Sequence, residues 1–157
     1  MSDHMSAGAD GTVEILSFRL AGQEYAIDIM QVREIRGWSR ATPLPHAPAY
    51  MRGVINLRGT VLPVIDLAER LGLAPLAAGD RAVVIVIEDK GQVTGLLVEA
   101  VSDILIVDAG DLQAPPALSA QPGAAEGCIA ALTVLDGRML RVLNIRAILP
   151  QPGKDAA

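Results

Sequence analysis

Apolar and polar positions alternate along the first ordered stretch of the chain. Leu16, Phe18 and Leu20 fall on one face and Ser17 and Arg19 on the other, which predicts a half-buried strand over Ile15–Leu20. Ala21-Gly22-Gln23-Glu24 supplies a turn, and Tyr25-Ala26-Ile27-Asp28 opens the return strand. The spacing of Ile29, Val32 and Ile35 predicts one helical turn before a strand over Glu34–Trp38. Thr42–Pro48, reading TPLPHAP, is too rich in proline for a regular donor ladder and predicts an ordered loop or sheet edge. Pro48–Met51 predicts a short helical turn. Two β-rich runs then flank Arg58-Gly59-Thr60 within MRGVINLRGTVLPVIDL, the pattern of a hairpin with a charged tip.

Asp66–Leu71 (DLAERL) has the look of a short helix stopped by Gly72. Leu73–Arg81 is rich in Ala, Pro and Gly and is expected to cross between two lobes, one cluster of strands lying on each side of it. The continuous run Val83–Ile87 predicts a strand buried on both faces. Asp89-Lys90-Gly91-Gln92 is a hairpin tip, Val93–Val98 the return, and Val101–Val107 a further strand. Asp108–Gly127 offers no evident element, long for a compact domain, and is expected to be a mobile loop. Ile129–Leu135 and Met139–Leu143 form a last hairpin through Asp136-Gly137, and Asn144–Leu149 a closing helix ended by Pro150. Short strands punctuated this regularly suggest barrels or a sandwich, and periodicity alone does not choose between them.

Composition narrows the class. Half of the 157 residues are hydrophobic, yet Phe18, Tyr25, Trp38 and Tyr50 are the only aromatics, so the core must be Val, Ile and Leu. The net charge of −5 disfavours nucleic acid and anionic membrane surfaces, both of which call for a basic footprint. No apolar run approaches the ~20 residues of a membrane span, and MSDHMSAGADG has no apolar segment of signal-peptide type. The single Cys128 cannot form an internal disulfide, which fits a cytoplasmic chain. Residues 1–14 are expected to be a disordered lead-in or partial tag, 15–149 the domain, and 150–157 a flexible tail.

Catalytic equipment is sparse. A thiol nucleophile needs a histidine partner, and only His46 stands within the domain to serve Cys128, which is better explained as a small buried side chain. Asp103, Asp108 and Asp111 are scattered carboxylates rather than a metal cluster. No glycine-rich phosphate cradle of either common type is present. No cofactor or metal is therefore expected, and binding is the expected mode of action. Glu34 and Arg58 could each be a solvated charge, and an exposed pair would add only about 0–1 kcal/mol of stability. At the lip of an apolar groove the same pair would discriminate partners by charge.

The wording of three segments carries more than their periodicity. N-L-R-G followed by P-V-I-D-L, the upstream Val32-Arg33-Glu34-Ile35-Arg36-Gly37 and the downstream Gly95–Asp103 (GLLVEAVSD) together resemble the CheW family of chemotaxis adaptors, in order and over nearly the whole chain. The resemblance implies an all-β fold of two side-by-side five-stranded SH3-like β-barrels with short helices. It implies a non-enzymatic cytoplasmic scaffold, recruited to membrane-associated receptor arrays, that bridges the tip of a methyl-accepting chemotaxis receptor and the regulatory domain of the histidine kinase CheA. Carried over by motif, Glu34 and Arg58 become partner-facing residues, and Val32, Val101 and Ile104 match the receptor-facing groove. Gly53 lies close to that face, where a side chain would obstruct approach. The kinase is expected on barrel ends elsewhere. The alternatives are an adaptor of the same fold with a non-motility output, and a small barrel enzyme using Cys128.

Overall fold

The computed structural model describes residues 11–77, 79, 81–115 and 127–150. Strands β1 (Thr12–Leu20) and β2 (Gln23–Asp28) form the first hairpin, and a 3-10 turn at Ile29–Gln31 leads into β3 (Val32–Gly37). β4 (Met51–Leu57) and β5 (Thr60–Asp66) follow, then helix α1 (Leu67–Arg70). β6 (Val83–Asp89), β7 (Gln92–Val98) and β8 (Ala100–Asp108) come next, with a second 3-10 turn at Ala109–Asp111. β9 (Ile129–Leu135), β10 (Arg138–Leu143) and α2 (Ile145–Ile148) complete the described chain.

Local chemistry accounts for the turns. The four two-residue connections Ala21-Gly22, Arg58-Gly59, Lys90-Gly91 and Asp136-Gly137 all have positive φ at both residues, the geometry that matches the twist of an antiparallel pair. Each helix is capped by the residue before it: Asp66 Oδ1 accepts the Glu69 N–H at 3.1 Å, and Asn144 Oδ1 accepts the Arg146 N–H at 3.1 Å.

Pairing differs from the expected order. The strands assemble as two five-stranded sheets, β8-β1-β2-β10-β9 and β3-β6-β7-β5-β4. We call these lobe 1 and lobe 2. The Leu73–Arg81 segment therefore connects β5 to β6 within lobe 2 and does not cross between lobes. The crossings are the 3-10 turn at Ile29–Gln31 and the short link at Glu99 between β7 and β8. Lobe 1 is built from both ends of the chain, its halves joined by the parallel pair Tyr25↔Arg141 and Ala26↔Val142. In each lobe the chain leaving one edge strand pairs with the other edge. Thr42 bridges to Val54 and Gln113 to Leu132, which curls each sheet toward a small barrel. The Gln113 bridge also gives order to the beginning of the Asp108–Gly127 segment; the expected mobility there falls largely on residues 116–126, outside the described residues, as do residues 1–10 of the expected 1–14 lead-in, whose last three residues are in β1, and residues 151–157 of the 150–157 tail.

Three apolar clusters explain the burial. Leu16, Phe18 and Leu20 from β1 meet Ile85 and Ile87 from β6 in a central cluster between the lobes. Val84, Val86 and Leu62 fill lobe 2, and Val13, Ile15 and Val142 fill lobe 1. β1 and β6 thus serve two clusters each, one per face. For β6 this matches the continuous apolar run. For β1 it corrects the half-buried expectation: the strand begins at Thr12, and Ser17, placed on the polar face, is 2% exposed. Its hydroxyl is satisfied by the backbone of Asp103, accepting from the N–H and donating to the carbonyl, both at 3.1 Å.

The two lobes are versions of one plan. β3-β4-β5-α1-β6-β7 repeats as β8-β9-β10-α2-β1-β2, with the same neighbours, the same parallel pair and the same edge bridge. Position by position, Val32-Arg33-Glu34-Ile35 corresponds to Val101-Ser102-Asp103-Ile104, Arg58-Gly59 to Asp136-Gly137, and Asp66 to Asn144.

Candidate protein-docking site

Two β-bulges arrange the candidate residues. On β3, Val32 pairs with Ile87 and Glu34 with Val86, leaving Arg33 as the extra residue. Directly paired residues share a face. Val32 therefore lies on the side of the central cluster, which contains Ile87, whereas Glu34 turns with Val86 toward the interior of lobe 2. Without the bulge, residues two apart would have shared a face. On β8 the extra residue is Ser102, with Val101 opposite Phe18 and Ile104 opposite Leu16. Both partners belong to the central cluster, so this bulge brings Val101 and Ile104 onto one face. Val32 and Val101 pack against that cluster while Ile104 stays 52% exposed.

Glu34 and Arg58 meet at the mouth of lobe 2. Asn56 Oδ1 accepts the Gly59 N–H at 2.8 Å and holds the hairpin tip from which Arg58 projects. Arg58 Nη2 donates to Glu34 Oε1 at 2.6 Å, and Arg36 Nη1 lies 3.9 Å from Glu34 Oε2. The Arg58 hydrogen bond, aided by the nearby arginine charges, holds the Glu34 carboxyl below its ordinary pKa, and Glu34 raises that of Arg58. The arginine side chain is 70% exposed, so the pair contributes little stability and leaves part of its guanidinium fork available. Beneath it is a cavity of about 310 Å³ with Leu57, Val86 and Val93 on its walls.

The structure thus separates the expected site into two regions. Val32, Val101 and Ile104 line the central seam; Glu34 and Arg58 stand on the other face of β3. Gly53 has a backbone reason of its own. Its φ of +139° is strained for any side chain, and a Cβ would collide with the Thr42 carbonyl, its carbon only 2.7 Å away. Glycine there lets the Thr42 bridge close over β4, where the two backbone hydrogen bonds with Val54 measure 2.8 and 2.9 Å. Ile35, 43% exposed, was not singled out from sequence; the internal repeat that makes it the counterpart of Ile104 was the signal that could have found it.

Cys128 is 1% exposed, and burial pushes its thiol pKa up, against a modest opposing pull from Arg70. That is the reverse of the depressed pKa an activated thiolate needs. Among the described residues no group of His, Cys, Asp and Glu is arranged to hold a metal ion, and no helix is long and apolar enough to cross a membrane.

Known proteins match this architecture. A family model described as the CheW-like domain covers residues 14–152. The chain belongs to the CheW family. It is 45% identical over 150 residues to the chemotaxis protein CheW of Rhizobium meliloti, covering 94% of each chain. It is 46% identical over 149 residues to the probable chemotaxis protein CheW of Rhizobium etli, again covering 94% of each. The crystal structure of the scaffolding protein TtCheW from Thermoanaerobacter tengcongensis superposes with a TM-score of 0.81 at 29% identity, over 91% of this chain and 96% of that one. Membership makes this chain a chemotaxis scaffold of the CheW family, whose role is to couple receptors to the kinase CheA.

Proposed function

We propose that this CheW-family chain is a non-enzymatic adaptor that binds a chemoreceptor tip and the CheA regulatory domain at the same time. The receptor tip docks on the central seam at Val32, Val101 and Ile104, with Arg58 and Glu34 reading charge on the other face of β3; Gly53 supports the site from within, by letting the Thr42 bridge close over β4. The kinase uses lobe ends elsewhere, where the regulatory domain's own CheW-like fold offers a matching end. The observation that carries this reading is the pair of matched bulges. They place Val32 and Val101 at corresponding positions on either side of one apolar seam, with Ile104 exposed beside it. An isoleucine left 52% exposed on a strand has about half its burial still to gain, on the order of 1 kcal/mol when a partner covers it. The protein acts in the cytoplasm and is recruited to membrane-associated arrays through the receptor. Many modest contacts then gain strength by linkage.

Purified chain, receptor fragment and kinase regulatory domain, mixed pairwise and together, provide the test. A ternary complex by sedimentation, with receptor binding lost in Val101→Asp and kinase binding kept, is the expected outcome. Competition between the two partners for one surface would defeat the bridge.

A further inference from the structure

The repeat of the fold exposes a difference at the lobe mouths. In lobe 1, Glu24 is held across the mouth by Arg19 at 2.9 Å, by Ser102 at 3.5 Å and by Arg138 at 4.0 Å. The corresponding lobe 2 positions are Val93 for Glu24, Glu88 for Arg19, Arg33 for Ser102 and Thr60 for Arg138. Ser17 likewise corresponds to Val86. Lobe 1 therefore crosses its mouth with its own polar side chains. Lobe 2 has valines at the Glu24 and Ser17 positions and a threonine at the Arg138 position; its own Arg33–Glu88 pair, 3.0 Å long, stands at the rim, and its mouth is a cavity of about 310 Å³.

The geometry points to this lobe 2 mouth as a socket for an aliphatic side chain that a partner protein presents beside a carboxylate. The walls supply the first half of that specificity: Leu57, Val86 and Val93 offer apolar surface, where lobe 1 has Leu135, the hydroxyl of Ser17 and the carboxylate of Glu24. The rim supplies the second half. Arg33, Arg36 and Arg58 surround the site against the two carboxylates Glu34 and Glu88, a local excess of positive charge on a chain of net charge −5. Arg58, 70% exposed, can keep one bond to Glu34 and offer the rest of its fork to an incoming carboxylate. A cavity near 300 Å³ is of the size that small apolar groups occupy. This deepens the adaptor reading and rests on it for the identity of the partner protein, but the socket itself is testable alone.

Isovalerate, a branched aliphatic tail on a carboxylate, is the probe. Titrated into the full chain carrying labelled Leu and Val methyls, it should shift Leu57, Val86 and Val93 saturably and leave Leu135 and Leu140 of lobe 1 still. Arg58→Glu should weaken that binding about tenfold. Glu88→Arg with Val93→Glu transplants the lobe 1 pair and should abolish it. Thr60→Trp, a change at an exposed hairpin position, fills the mouth from the rim and should abolish it too, so the result does not depend on the transplant folding. Absence of saturation at the lobe 2 methyls, or equal shifts in both lobes, would overturn the socket. An adaptor reading that fails shows differently: neither receptor fragment nor kinase domain binds, whatever isovalerate does. If partner binding survives Thr60→Trp unchanged, the socket is refuted as a docking element while the adaptor reading stands.

Discussion

Lobe 1 and lobe 2 share strand order, turn geometry, helix position and edge bridge, yet their mouths carry opposite chemistry. At the hairpin tips the counterparts are Asp136 and Arg58, both with φ of 51°. Their neighbours on the bulged strands are Asp103 and Glu34. Lobe 1 thus sets two carboxylates where lobe 2 has a salt bridge of 2.6 Å. The backbone plan requires neither arrangement, because an exposed pair adds at most about 1 kcal/mol. The difference teaches that the scaffold is specified by turns, caps and apolar layers, while what each end recognises is written in a few side chains the fold does not need.

The sharpest way to break the comparison is at the edge bridge. Gly53 corresponds to Ala131. Gly53→Ala forces a Cβ against the Thr42 carbonyl and should cost about 3 kcal/mol. Ala131→Gly should cost only about 0.5–1 kcal/mol. Urea unfolding of both variants measures this, and equal losses would mean that the lobes close in the same way.

The helix caps come next. Asp66 is fully buried and holds three donors: the Glu69 N–H at 3.1 Å, the Leu76 N–H at 2.8 Å and Arg52 at 3.1 Å. Arg52 also donates to the Leu76 carbonyl, tying the β5–β6 connection to α1. The Asn144 side chain caps α2 through its bond to Arg146 and, among the described residues, adds a long contact of 3.4 Å to the Gly127 carbonyl. Asp66→Ala should therefore destabilise by about 3 kcal/mol, because a half-buried arginine and two backbone amides lose their acceptor. Asn144→Ala should cost about 1 kcal/mol. Thermal melts giving the reverse order would contradict the network.

A smaller effect on stability, with a larger one on binding, is expected at the tips. Arg58→Glu should leave the unfolding midpoint nearly unchanged while weakening partner binding about tenfold. Asp136→Lys in lobe 1 should change neither. Partial rescue by Glu34→Arg combined with Arg58→Glu would show an internal orienting pair, and a double-mutant cycle on titration calorimetry isolates that coupling. Unchanged receptor binding and kinase control in Arg58→Glu would remove Arg58 from the site.

The smallest effect concerns pH. Arg58 lowers the folded-state pKa of Glu34. The pair's contribution is therefore fully present above the unfolded carboxylate's pKa and is lost as pH falls through the depressed folded value. In Arg58→Ala the Glu34 carboxyl should titrate at higher pH than in the parent, as followed by carbon NMR. An unmoved titration would mean that the hydrogen bond is not maintained in solution.

Much of this was legible in the chain. The Arg58-Gly59 and Asp136-Gly137 turns, the helix after Asp66, the turn at Ile29 and the two-sided burial of Val83–Ile87 follow from residues a few positions apart. The Glu34–Arg58 pair was within reach because motif resemblance drew attention to both ends. The bulges at Arg33 and Ser102 were not legible. Neither position carries a glycine or another local mark, and a bulge is a relation between two strands, visible only once both partners are known. Ser17 misled for a related reason: a hydroxyl on an alternating strand signals solvent unless one knows that the Asp103 backbone will satisfy it.

By itself, then, the sequence determined the elements: where strands run, where tight turns fall, where short helices follow, and which family wording the chain carries. These depend on backbone sterics and hydrogen bonds spanning a few residues, so local composition decides them. Only the tertiary structure decided the partners. It joined the two ends of the chain into lobe 1 through the parallel contact of Tyr25 with Arg141, and kept the alanine-rich Leu73–Arg81 link within lobe 2. It also turned Val32 and Glu34 to opposite faces. Those outcomes are set by closing three apolar clusters at once. That requirement acts over the whole chain, and no single segment encodes it.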